Sequence, residues 1–304
     1  MSVDARERAG LLLTAGETMA MVTPVEPVGI EGAEVFRIDA GGAESNVAAH
    51  VAKLGHRARW LSRLGDDPLG RRVLAQVRDR GVDTSAVIVD PDHRTGLYVK
   101  DPGRGVHYYR DGSAASFLSG ADADAADLTG VTIVHVSGIT AALGGTAPAF
   151  LDRLMARARQ AGAIVSFDVN HRAALWPAAS AAPVLATLVE RADLVFVGRD
   201  EAESLWGTAT VDDVRALFPD VPELVVKDGD IGATVFEPDG EAFVAPPAVK
   251  VVEAVGAGDA FAGGYLAGRL VGAPAEDRLT AGHARAALTL RTTADFPVDE
   301  DDEA

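Results

Sequence analysis

The chain has no cysteine among its 304 residues. That excludes disulfides and thiolate metal sites and makes the cytoplasm the default expectation. Positive charge is scarce: 28 Lys and Arg stand against 45 Asp and Glu, a net charge of −17. Nucleic acid and anionic membrane surfaces need a basic face, so neither is an expected partner. No apolar run approaches the ~18–20 residues of a membrane span. Met1 to Gly10 is charged and lacks the apolar stretch of a signal peptide. The seven His show no metal-ligand spacing, and His135, inside a strand pattern, reads as a core residue. Gly-x-x-x-x-Gly-Lys-Ser/Thr, Gly-x-Ser-x-Gly and His-Glu-x-x-His are all absent. Phosphate-loop nucleotidases, nucleophile-elbow hydrolases and zinc proteases are thereby set aside.

Nearly half of the residues, 48%, are hydrophobic, and the length suffices for one large α/β domain. Short apolar β-type runs alternate with helical patterns. Leu11–Ala15, Trp60–Leu64, Ile133–Val136, Ile164–Phe167 and Leu194–Val197 read as buried strands. Ala43–Leu54, Pro68–Arg80 and Pro148–Gln160 read as helices, closed by Gly55, Gly81 and Gly162. Leu224–Val226 reads as the start of another strand–helix unit. Such alternation predicts a mostly parallel sheet with helices on both faces. Sites in these sheets lie at the carboxyl ends of the strands, where Glu17, Asp168, Asn170, Arg172 and Glu201 fall. Residues of about 18–40 and 94–111 break the helical period and read as strands of a small separate sheet, either a lid over the site or a plain antiparallel extension. The acidic end, residues 298–304, reads as a disordered tail.

Chemistry concentrates in Val255-Gly256-Ala257-Gly258-Asp259, directly before Ala260-Phe261-Ala262-Gly263-Gly264. Glycines at a helix start leave backbone N–H groups uncovered, and the helix N-terminus is partly positive, so the turn suits anionic oxygens. Asp259 is placed to take a proton from a hydroxyl that attacks a phosphoryl group. The same five residues also fit a glycine loop capped by Asp.

Gly41-Gly42-Ala43-Glu44-Ser45-Asn46-Val47-Ala48, followed by Leu64-Gly65-Asp66-Asp67-Pro68-Leu69-Gly70, resembles the first signature of the ribokinase-like (PfkB) carbohydrate kinases. Val255–Gly264 resembles the second. Within that family the resemblance is to the 2-keto-3-deoxygluconate kinases. It is carried by Gly16-Glu17, Thr95–Tyr98, Tyr108–Ala114, Val136–Thr140 and Asp168–Arg172 with Leu175-Trp176. The resemblance implies a ribokinase-like central sheet of about eight or nine strands and a β-sheet lid that often dimerises, hence a homo-oligomer. It implies transfer of the ATP γ-phosphate to a sugar acid with Mg²⁺, Asp259 as the base, and Gly256, Ala257 and Gly258 as the anion hole. Gly42, Asn46, Tyr98, Tyr108, Arg110, Asn170 and Arg172 are then the sugar-acid side, and Lys227, Gly229 and Gly232 the nucleotide side. Glu201 matches the Glu of an Asn-x-x-Glu element that acts indirectly on Mg²⁺, although Gly198 stands in place of its Asn. Glu253-Ala254 replaces a common Asp-Thr, and Ala281–Pro297 is short where the family closes its adenine pocket. Independently of the family, an Arg fork is chemically suited to a carboxylate, and Tyr to a polyol.

Overall fold

The computed structural model describes residues 10–26, 28–292 and 296–297. The acidic segment 298–304 lies outside the described residues, as does most of the charged N-terminal stretch. Among the described residues thirteen strands run β1 Leu11–Ala15, β2 Met19–Pro24, β3 Phe36–Gly41, β4 Arg57–Gly65, β5 Val87–Asp90, β6 Leu97–Asp101, β7 Gly105–Tyr109, β8 Val131–Ser137, β9 Ile164–Asp168, β10 Leu194–Gly198, β11 Glu223–Asp228, β12 Gly232–Glu237 and β13 Gly240–Val244. Nine of them form one sheet in the order β13-β12-β11-β10-β9-β8-β1-β4-β5. Its pairs from β11 to β5 are parallel.

Alternate residues of the central strands enter different cores, because successive side chains of a strand point to opposite faces. Leu11 and Leu13 of β1, with Val195 and Val197 of β10, pack under the helices Ala147–Gln160 and Ala178–Val189. Leu12 and Phe196 pack on the other face, against the helices Ala43–Lys53 and Ala257–Leu270. Both faces are dry, which is why these strands read as continuous apolar runs. The expected strand–helix unit at Leu224–Val226 is not formed: β11 turns back antiparallel into β12, and β12 into β13. The turn residues of the loops Gly229-Asp230-Ile231 and Pro238-Asp239 outweigh the alternation seen elsewhere.

The four remaining strands form a second sheet in the order β3-β2-β6-β7, drawn from the two segments that lack helical period. β2–β3 and β6–β7 are antiparallel, while β2–β6 is parallel. Met19, Met21 and Tyr98 make its small core.

Candidate functional site

Gly256 caps the helix Ala257–Leu270 at φ 83°, a left-handed conformation that glycine adopts without a Cβ penalty. The chain thereby swings into the helix with Ala257, Gly258 and Asp259 as its first turn. Those N–H groups have no carbonyl four residues back within the helix, although Ala257 donates to the Ala254 carbonyl at 3.3 Å. Asp259, buried, accepts a hydrogen bond from Asn46 Nδ2 at 3.0 Å. Asn46 stands early in the helix Ala43–Lys53, whose N-cap is Gly42. A Cβ on Gly42 would lie 2.5 Å from the Glu17 carbonyl oxygen, so glycine lets this helix start close against the loop after β1. Residues 213 positions apart thus meet between two helix starts.

Asp259 lines a cavity of about 470 Å³ with Gly256, Gly258, Asp168, Asn170, Arg172, Glu201 and Lys227. β9, β10 and β11 bring these groups to their carboxyl ends. Lys227 Nζ lies 3.2 Å from Asp168 Oδ2. Glu201 opens the helix Arg199–Trp206 and accepts from the Gly198 N–H at 3.1 Å and from the His171 N–H. Burial, with the Asp168 charge second, raises the Glu201 carboxyl to about 6; Lys227 and the two backbone donors oppose that rise. Burial pulls the Lys227 ammonium down, but Asp168 and Glu201 outweigh it and its pKa is raised. Asn170 has φ 39°, the left-handed region in which Asn is one of the tolerated non-glycine residues.

A second cavity, of about 800 Å³, adjoins the first and shares Gly198, Asp200, Lys227, Ala254 and Gly258 with it. Gly229 and Gly232 lie on its rim, and Val249, Val251, Phe261, Ala287 and Leu290 give it apolar walls. The segment from Ala281 is therefore long enough to contribute to a cleft wall.

In the small sheet, Tyr98 is buried and its ring centroid lies 5.8 Å from that of Tyr108. Arg110 follows β7 and forms an ion pair with Glu17, which also accepts from Ser113 Oγ. The Arg110 guanidinium sits 5.6 Å from the Tyr108 ring centroid. Arg172 is exposed and lines the cavity beside Asp259; Arg110 is not among that cavity's lining residues. Of the two arginines expected to grip one carboxylate, Arg172 lines the cavity with Asp259 and Arg110 pairs with the buried Glu17.

The sequence profile of the pfkB family carbohydrate kinases matches residues 10–297. The chain belongs to that family. A 2-dehydro-3-deoxygluconokinase of Bacillus subtilis is 36% identical over 293 residues, 93% of this chain and 90% of its own length. A 2-dehydro-3-deoxygalactonokinase of Haloferax volcanii is 34% identical over 302 residues, covering 96% and 94%. The crystal structure of a 2-dehydro-3-deoxygluconokinase from Thermotoga maritima superposes with a TM-score of 0.85 at 27% identity, over 95% of each chain. The ribokinase-like sheet and its small partner sheet are thus those of a carbohydrate kinase.

Two features of the site and its surroundings were not visible in the sequence. Asp168 and Lys227 join into one ion pair at the junction of the two cavities, although no local spacing relates them. Glu44 is fully buried behind Asp259, accepting from Ser137 Oγ at 2.7 Å and Thr140 Oγ1 at 3.2 Å. An acid in the first turn of a helix reads as a surface group that complements the helix dipole. The usable signal was the Ala-rich composition of this helix, whose residues Glu44 to Val51 are all buried.

Proposed function

We propose that the protein phosphorylates 2-keto-3-deoxygluconate at its 6-hydroxyl, with ATP as donor. The observation that carries the reading is the presence of Arg172 in the same cavity as Asp259 and the Gly256–Gly258 turn. A guanidinium on the sugar wall of a strongly acidic protein selects for a substrate that carries a carboxylate. The names of the similar kinases point the same way.

In this reading Asp259, steadied by Asn46, takes the proton of the attacking hydroxyl. The hydroxyl oxygen forms a bond to the γ-phosphorus as the bond to the β–γ bridging oxygen breaks, and that electron pair leaves on ADP. The first-turn N–H groups after Gly256 face the charge that develops. The larger cavity, with Gly229 and Gly232 on its rim and Lys227 where it meets the smaller one, takes the nucleotide. Tyr98, Tyr108 and Arg110 form the lid side, where Arg110 shapes the pocket through Glu17, and Gly42 and Asn170 shape its floor.

Among the described residues no three His, Asp or Glu side chains are grouped closely enough to hold a metal by themselves. That arrangement fits Mg²⁺, which binds through one or two carboxylates together with substrate phosphates. Glu201 fits the part: burial and the Asp168 charge disfavour its anion, and a nearby cation would relieve both. When bound, the metal neutralises charge on the β- and γ-phosphates.

The test is ADP release measured across a panel of sugar acids, their C4 epimers and neutral sugars such as fructose. The acid should be strongly preferred. Arg172→Ala should lower kcat/KM for the acid roughly 10- to 150-fold, from ~1.5–3 kcal/mol for a charge-assisted contact. Equal loss for acid and neutral sugar would refute the substrate assignment, and no ADP release with any sugar would point to a binding protein on a kinase fold.

A further inference from the structure

We propose that Lys227 is a second, fixed cation that acts beside the metal on the phosphoryl group during transfer, and that Asp168 is the positioning residue that holds its ammonium in place. The inference rests on the kinase reading above and deepens it, because Lys227 was expected only as a nucleotide-side contact.

Three observations place the ammonium at the point of transfer. Lys227 lines both cavities, so it stands where the nucleotide side meets the sugar side. Its Nζ lies 3.6 Å from the position of a Cβ on Gly258, the middle of the anion-binding turn. Its anchor, Asp168, lines only the sugar-side cavity of the two, so the side chain is drawn away from the nucleotide cleft and toward Asp259. The strand register explains why there is room: Lys227 of β11 pairs with Gly198 of β10, which carries no side chain.

The chemistry follows from the donor count. An ammonium has three N–H donors and no acceptor. Asp168 lies 3.2 and 3.5 Å from Nζ through its two oxygens and uses one face of the ammonium. The Glu201 oxygens are engaged by the N–H groups of Gly198 and His171. Donors remain to meet the equatorial oxygens of the γ-phosphoryl group. Lys227 keeps its proton throughout: the hydroxyl proton passes to Asp259, and the leaving electron pair goes to ADP. Asp168 and Glu201 hold the lysine in its charged form despite burial. A fixed charge that meets the phosphoryl only as its charge redistributes acts on the transition state, as do preorganised donors in other sites.

The experiment measures kcat, KM for ATP, and the dissociation constant of ADP by calorimetry. It uses the full chain and the sugar that the wild type phosphorylates best. Lys227→Met should lower kcat ~10²–10³-fold, the range for losing one preorganised donor. ADP has no γ-phosphate, so its affinity should stay within about threefold. Lys227→Arg should recover at least about tenfold of the kcat lost in the Met variant, and Asp168→Asn should fall between wild type and Lys227→Met. If Lys227→Met leaves Asp168 buried without its partner and fails to fold, Lys227→Met with Asp168→Asn removes the whole pair and carries the test. The same loss of kcat is then expected. A kcat within about threefold of wild type, or ADP affinity that falls in step with kcat, overturns the proposal. Failure of the sugar-acid reading would instead show in the wild type, as a preference for a neutral sugar, and the Lys227 comparison would then be made with that sugar. A wild type that phosphorylates no sugar overturns both.

Discussion

Glu44→Gln should remove a pH dependence of folding stability that the wild type carries. The Glu44 carboxyl is fully buried, and burial raises its pKa from 4.5 to about 7. The hydroxyls of Ser137 and Thr140 and its own backbone N–H pull it down, while the Asp259 charge adds to the rise. Its Oε2 is buried with no hydrogen-bond partner among the described residues, so ionisation leaves a charged oxygen unsolvated. Below about pH 4.5 the folded and unfolded chains both hold the proton, and the carboxyl adds no pH-dependent cost. Between about 4.5 and 7 the unfolded chain loses its proton first, so stability falls as pH rises; above 7 the loss is complete. The size is about 3 kcal/mol, because each tenfold difference in proton affinity between the folded and unfolded chains is worth ~1.4 kcal/mol. Glutamine keeps the shape but cannot ionise. It carries a constant cost of ~1–3 kcal/mol for a buried amide without an acceptor, and that cost does not vary with pH. Urea unfolding of both proteins at pH 5 and pH 8 checks this, because the other titrating groups cancel in the difference. The variant should gain about 2 kcal/mol or more on the wild type between the two pH values. A stability difference that stays constant within about 0.5 kcal/mol would refute the burial argument.

Glu201→Gln should raise the Mg²⁺ concentration needed for half-maximal activity, because the neutral amide gives up a charge that the cation would meet. A titration of turnover against Mg²⁺ checks this, and an unchanged midpoint removes Glu201 from metal binding. Arg110→Ala should destabilise the fold by ~3–5 kcal/mol, since it leaves the buried Glu17 carboxylate without its cation. Arg110→Ala with Glu17→Gln should recover most of that loss in urea unfolding, and a single variant that loses less than about 1 kcal/mol would show that the pair is not structural.

The central sheet was legible because its strands are buried on both faces and separated by well-marked helix ends. Leu11–Ala15 forms the strand read from its sequence. Pro68–Arg80 forms the expected helix over Pro68–Asp79, and Asp67 opens it by accepting from the Gly70 N–H at 2.7 Å. The small separate sheet was legible from missing helical period alone. The β11–β13 hairpins were not, because the run Leu224–Val226 looks the same whether a helix or a turn follows; only the turn residues Gly229-Asp230 and Pro238-Asp239 distinguish them. At the site, the turn at Gly256 and the cavity neighbours of Asp259 were read from local motifs. Contacts that need two distant segments and a known register were not: the Lys227–Asp168 pair, the burial of Glu44, and the capture of Arg110 by Glu17.

The central claim, that Asp259 is the base of a sugar-kinase site, is tested most directly by turnover of Asp259→Asn under conditions where the chemical step limits the rate. Asparagine keeps the size of the side chain but cannot accept the proton. Turnover should fall ~10²–10⁴-fold, the range for losing a general base, while affinity for sugar and ATP changes little. A variant that retains more than about a tenth of wild-type turnover would contradict the account.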